Sequence, residues 1–225
     1  SLERAKLVAL SSTRRPNTAP DEDKSLSGLL DSEAEVVGLV GKSWLFHVEE
    51  VLGVSPDENL SMIRDSVSYL KERGREVLYD AEHYFDGFKD DPEYALSTLR
   101  AAEEAGADYI CLCDTNGGTL PSKIGDIVRE TRKAVDVTLS IHAHDDSGVA
   151  TANSLVAVDE GAEIVQGTIN GYGERVGNAN LCSVIPNLVL KKGLNCLNSE
   201  ASLEELTPVS RFVSEIANKT PEKRS

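Results

Sequence analysis

Short apolar runs alternate with stretches of helical period along almost the whole chain. Residues 6–10 (Lys-Leu-Val-Ala-Leu) read as a first strand, followed by a polar loop through Pro20 and a helix over about 22–32. The next apolar run is 36–40. A helix over 56–72 carries strong start signals: Ser55 as N-cap, Pro56 at the first helical position and Asp57 and Glu58 in the first turn, with Gly74 as its stop. Residues 76–79 predict a third strand, 92–104 a helix closed by Gly106, and 108–113 a fourth strand. The pattern continues with a helix over 121–133, a strand over 137–143, a helix over 148–159 ended by Gly161, and a sixth strand over 163–168. Two further helices are expected near 179–191 and 203–217, each interrupted by a proline, Pro186 and Pro208.

Parallel neighbours need crossover connections of about a dozen residues or more, so strands separated by helices predict a parallel sheet. An open doubly wound sheet and a closed barrel both fit that count. Polar clusters follow nearly every predicted strand: residues 11–15, Lys42 with Trp44, 80–83, 114–118, 142–146 and 170–175. A barrel gathers all these ends around one mouth, whereas an open sheet concentrates them at a switch point. The expected fold is therefore a TIM (β/α)8 barrel, represented by about six β/α units. Residues 1–225 read as one partial domain, two units short of the usual eight, and both ends look like those of a piece of a longer protein.

Composition narrows the function. Thirty-eight acidic against twenty-three basic residues give a net charge of −15, which disfavours nucleic acid and anionic membrane surfaces as partners. There is no Cys-x-x-Cys pair among the four cysteines, no signal peptide and no apolar run of membrane-spanning length, so a reduced, cytoplasmic protein is expected. Cys113 reads as buried strand packing.

Two of the four histidines lie in His142-Ala143-His144, at the end of an apolar run. Side chains at i and i+2 of a strand point the same way, so this pair can hold one metal ion or simply hydrogen-bond within the structure. Further on, Gln166-Gly-Thr-Ile-Asn-Gly-Tyr-Gly-Glu-Arg-Val-Gly-Asn178 places four glycines in a loop leading to a helix expected to begin near Asn178. Such a loop makes tight turns, and a helix start there offers free N–H groups to an anion.

Together, residues 142–154 and 166–181 resemble the signature of the 2-isopropylmalate synthase family, which includes homocitrate and citramalate synthases, with 3-hydroxy-3-methylglutaryl-CoA lyase as a distant relative. Tyr79-Asp-Ala-Glu-His-Tyr-Phe-Asp-Gly-Phe-Lys89 and Cys111-Leu-Cys-Asp-Thr-Asn-Gly-Gly-Thr-Leu-Pro121 look most like the citramalate synthase branch. The resemblance implies a barrel in which a divalent metal (Zn²⁺, Mn²⁺ or Mg²⁺) binds a 2-oxo acid and acetyl-CoA is condensed onto its keto carbon. Pyruvate would give citramalate for isoleucine biosynthesis; 2-oxoisovalerate, 2-oxoglutarate, the reverse lyase reaction and a non-catalytic barrel are the alternatives.

By motif position, His142, His144 and Asn178 match the metal ligands, Glu82 the active-site glutamate, and Thr115 the threonine that binds the substrate carboxylate. Read from the residues alone, Glu82 is either a mouth residue or a surface acid, and Thr115 a ligand contact or a turn former. His83 lines the pocket or packs against it, His47 reads as a solvated loop residue, and Arg14 with Arg15 could meet a carboxylate or the phosphates of the coenzyme. The family's Asp-Thr-Thr-Leu-Arg-Asp-Gly-like strand, with its catalytic arginine and aspartate ligand, is not found in these residues. The segment by itself is therefore expected to be inactive and poorly soluble, and the intact protein to be a homodimer.

Overall fold

The computed structural model describes residues 5–197 and 200–220. Six strands form one parallel sheet in the order β1-β2-β3-β4-β5-β6: Val8–Ser12, Val36–Lys42, Glu76–Glu82, Tyr109–Asp114, Thr138–Ala143 and Ile164–Gln166. Each strand neighbours the next in sequence, with no reversal of order and hence no switch point. That is the winding of a β/α barrel. β1 and β6 are the two edges.

Alternation along the strands separates two faces. Val37, Leu39, Val77, Tyr79, Ile110, Leu112, Leu139 and Ile141 are buried in one apolar core with the helices. Alternate residues of all six strands, among them Leu10, Val36, Leu78, Asp80, Tyr109, Ser140 and Gln166, line a cavity of about 500 Å³ on the other face. Val8 and Leu10 on β1 and Ile164 on β6 stay exposed there, because each edge strand has a neighbour on one side only. Gly41 lets the sheet and the Tyr79 ring pack closely: a Cβ at this position would stand 2.5 Å from the ring.

The helices covering the sheet are α1 (Lys24–Asp31), α2 (Leu45–His47), α3 (Pro56–Lys71), α4 (Tyr84–Asp90), α5 (Pro92–Glu104), α6 (Pro121–Ala134), α7 (Ala150–Asp159), α8 (Leu181–Pro186) and α9 (Leu206–Ile216). Ser55 caps α3 as its sequence predicts, its hydroxyl accepting from the Glu58 N–H at 3.2 Å. No helix among the described residues is long and apolar enough to cross a membrane.

Several boundaries differ from expectation for identifiable reasons. β1 starts at Val8, opposite Val36, the first residue of β2, with Lys6 before it ion-paired to Glu35 and Glu76, while Ser11 and Ser12 stay in register with Leu39 and Val40. The first helix begins at Lys24: Asp23, in an extended conformation, accepts from Ser25 and Leu26 N–H at 2.7 and 3.3 Å and so serves as its cap. α2, continued by a wide turn over Val48–Leu52, and α4 were not evident from the pattern; both are too short to show a helical period, yet α4 buries Tyr84 and Phe85 completely. β6 ends at Gln166, after which Thr168 pairs with Asn180 instead of extending the sheet.

Candidate active site

Parallel register brings the ends of β2 to β6 to one side of the sheet. Lys42 lies beside Glu82, Cys113 beside His142, and His142 beside Gln166. His142 and His144 flank the last residue of β5, so both side chains project to the same face. Their Nε2 atoms are 3.3 Å apart.

Gln166 directs its amide nitrogen at Asp80 Oδ1 (3.4 Å) and its carbonyl oxygen at His142 Nδ1 (3.0 Å). A carbonyl only accepts, so Nδ1 donates to it, and in the neutral ring this leaves Nε2, on the side facing His144, as the nitrogen able to ligate. The second imidazole is 6% exposed, and its Nδ1 is buried without a hydrogen-bond partner. Burial, then the neighbouring His142 and Arg175, lower the pKa of His144, which favours the neutral, ligating form.

Asn178 arrives from the glycine loop. It pairs with His144 in an isolated antiparallel bridge, and its Oδ1 is likewise buried without a partner. Gly173 and Gly177 permit this approach. A Cβ on Gly173 would lie 1.9 Å from Asn178 Nδ2, and one on Gly177, at φ +113°, would lie 2.0 Å from the Gly171 carbonyl oxygen. The helix expected to begin near Asn178 begins instead at Leu181, capped by the Asn180 side chain accepting from Cys182 N–H at 2.9 Å. The N–H groups of Asn178 and Ala179 donate to the Gly171 and Ala143 carbonyls, so they are not free to cradle an anion.

The donor set fits a divalent cation. Two imidazole nitrogens held by one tetrahedral ion at about 2.0–2.1 Å stand about 3.3–3.4 Å apart. The observed pair meets that spacing, and the orphaned Asn178 oxygen offers a third donor.

Glu82 closes β3 and is ion-paired with Lys42. Thr115 follows β4, and its hydroxyl accepts the His83 N–H at 2.9 Å, leaving its own O–H free to donate. Arg175 clamps this mouth: it donates to both Asp146 carboxylate oxygens at 2.8 Å and to the Thr115 carbonyl at 2.7 Å. His83 adopts φ +56°; its ring stacks edge-on to His47 at 4.3 Å and its Nδ1 is 3.3 Å from Asp86 Oδ2. His47 is no solvated loop residue. It stacks on Trp44 in α2's aromatic cluster, and burial followed by the charge of His83 lowers its pKa.

Arg14 is not brought to this cluster. Its guanidinium is almost wholly buried against α3, at 2.9 Å from Glu58 and 2.8 Å from Asp65, so its donors are taken up inside the fold and not offered to a ligand. Gln166 and Asp80 are the site residues that sequence reasoning missed. Their signal was strand register: both lie on the cavity face, Gln166 on β6 beside the histidine strand and Asp80 on β3, two strands away on its other side.

The description HMGL-like matches residues 21–213. The chain belongs to the HMGL-like family. An (R)-citramalate synthase of Synechocystis is 52% identical over 98% of this chain and 42% of its own length. Homocitrate synthase AksA of Methanopyrus kandleri is 39% identical over 83% of the chain and 45% of its own length, so this HMGL-like chain stands nearer the citramalate branch. Among solved structures, the HMG-CoA lyase of Bacillus subtilis superposes with a TM-score of 0.78 at 18% identity, covering 99% of this chain and 75% of that one. That likeness supports the barrel fold. The chain spans less than half the length of the curated relatives it matches.

Proposed function

We propose that the intact protein is an acyltransferase that condenses acetyl-CoA with pyruvate to give (R)-citramalate, using Zn²⁺, Mn²⁺ or Mg²⁺. One observation carries the reading: His142 and His144 face each other at ligand spacing with the Asn178 oxygen orphaned beside them, in a chain about half identical to (R)-citramalate synthases.

A divalent cation held by His142, His144 and Asn178 would polarise the keto group of the 2-oxo acid and stabilise the negative charge that grows on its oxygen. Gln166 fixes the ring of His142, and Asp80 in turn holds Gln166. Thr115 O–H donates to the substrate carboxylate, its position kept by the His83 N–H on one side and by Arg175 on its carbonyl. Glu82, ion-paired with Lys42, takes the proton from the acetyl methyl or orients that group for removal. The methyl carbon then bonds to the keto carbon, and hydrolysis of the thioester releases CoA. The protein works in the cytoplasm as a homodimer.

Release of free CoA from acetyl-CoA by the intact protein, with Mn²⁺ or Zn²⁺ and with pyruvate, 2-oxoisovalerate or 2-oxoglutarate in turn, tests this. Pyruvate-dependent release that His142→Ala abolishes is the expected result. Release with another oxo acid alone would reassign the substrate, and no release with any of them would overturn the synthase reading.

A further inference from the structure

We propose that Asp80, Cys111 and Cys113 form a second cation site, for a thiophilic ion of the Zn²⁺, Cd²⁺ or Cu⁺ class, beneath the histidine pair on the cavity face. A carboxylate oxygen of Asp80 and the two sulfurs lie within 4.8 Å of one another, and the sulfurs are 4.0 Å apart. Two thiolates on one tetrahedral ion at about 2.3 Å stand about 3.8 Å apart, so a shift of a few tenths of an ångström closes the site.

The two thiols converge yet cannot oxidise to each other in this strand. Residues i and i+2 of a strand hold their Cβ atoms roughly 6.6 Å apart, whereas a disulfide needs about 3.5–4.5 Å. β4 cannot relax to allow it, because Cys111 and Cys113 are held in register with Ser140 and His142. Simple apolar packing explains buried cysteines but not the carboxylate facing them, with Asp80 and Ser140 both within hydrogen-bonding reach of Cys111. Asp80 and Ser140 of this group, with Gln166, line the cavity face of the sheet.

Burial holds the Cys111 thiol well above its ordinary pKa. Capture of a divalent ion therefore exchanges it for two thiol protons, released to solvent, with no change of oxidation state. Two thiolates and one carboxylate leave the loaded site with a single negative charge. Occupation also draws Asp80 away from Gln166, and through Gln166 loosens His142. That inhibitory consequence rests on the reading of His142 as a metal ligand; the capture itself does not.

Titration of the intact protein with Cd²⁺ alone, followed by the ultraviolet thiolate-to-Cd²⁺ charge-transfer absorbance, tests the site. The expected result is a band that saturates at one ion per chain, persists in His142→Ala and Cys196→Ser, and is lost in Cys111→Val and Cys113→Val. Asp80→Asn, which keeps shape and polarity, weakens binding by more than about tenfold and decides the matter if either valine variant loses the wild-type circular dichroism. Absence of a band in the wild type, or a band unaffected by Cys111→Val and Asp80→Asn, would overturn the proposal. Persistence in His142→Ala while CoA release vanishes separates this site from the synthase reading.

Discussion

The imidazoles of His142 and His144 meet Nε2 to Nε2 at 3.3 Å, and the outer nitrogen of His142 is held at 3.0 Å by the Gln166 carbonyl oxygen. Removing that outer support leaves both histidines in place but frees the first ring to turn. Gln166→Leu is expected to lower Mn²⁺ or Zn²⁺ affinity about 10–100-fold, and His142→Ala to abolish binding at this site. Calorimetric titration checks both; an unchanged affinity in Gln166→Leu would show that the ring is fixed by packing alone.

Gly173 faces the third donor. A Cβ there would meet Asn178 Nδ2 at 1.9 Å, an atom at the end of a side chain that can swing aside. Gly173→Ala should therefore weaken divalent-metal binding while costing no more than about 1 kcal/mol of stability. Paired metal titrations and urea unfolding read the two effects separately, and equal losses in both would mean that the whole loop had collapsed.

Arg14 behaves as a structural cation. Its guanidinium is 7% exposed and bridges Glu58 and Asp65, which are 30% and 43% exposed. Truncation leaves those carboxylates partly hydrated, so Arg14→Leu is expected to cost about 1.5–3 kcal/mol in urea unfolding, the range for hydrogen bonds to charged groups. KM for the 2-oxo acid should stay the same. A raised KM at unchanged stability would restore a substrate role to this residue.

Acid sensitivity should centre on Asp23. Burial favours its neutral form, but the N–H groups of Arg15, Ser25 and Leu26 and the Arg15 side chain outweigh that and hold its pKa below the usual carboxylate range. Its stabilisation is therefore complete above the unfolded value of about 3.9 and is lost as pH falls through the lower folded value. Asp23→Ala should cost about 0.5–2 kcal/mol at neutral pH. Asp23→Asn should flatten the fall in stability below about pH 4; urea unfolding across the acid range measures it, and an unaltered slope would assign the effect to other carboxylates.

Much of this was legible in local pattern. The Ser55-Pro56 start of α3, the glycine stops at Gly74, Gly106 and Gly161, and the six strands all follow from rules acting within a few residues. His142 and His144 were readable for the same reason, since strand alternation alone puts them on one face. Elements below two helical turns were not readable: α4 exists because Tyr84 and Phe85 find a core built by distant segments, and no period appears in seven residues.

Local sequence was enough to specify the alternation of strands and helices, the polar strand ends and the residue types able to bind a cation. Folding in three dimensions selected which of them meet. It turned Arg14 outward onto α3 although its neighbours in sequence lie at the sheet end, laid the Asn178 segment across to His144, and joined Asp80 on β3 to Gln166 on β6. The physical reason is range. Secondary structure is set by backbone bonding over three or four residues, whereas the partner of a given side chain is set by strand register and loop closure between segments up to 86 residues apart.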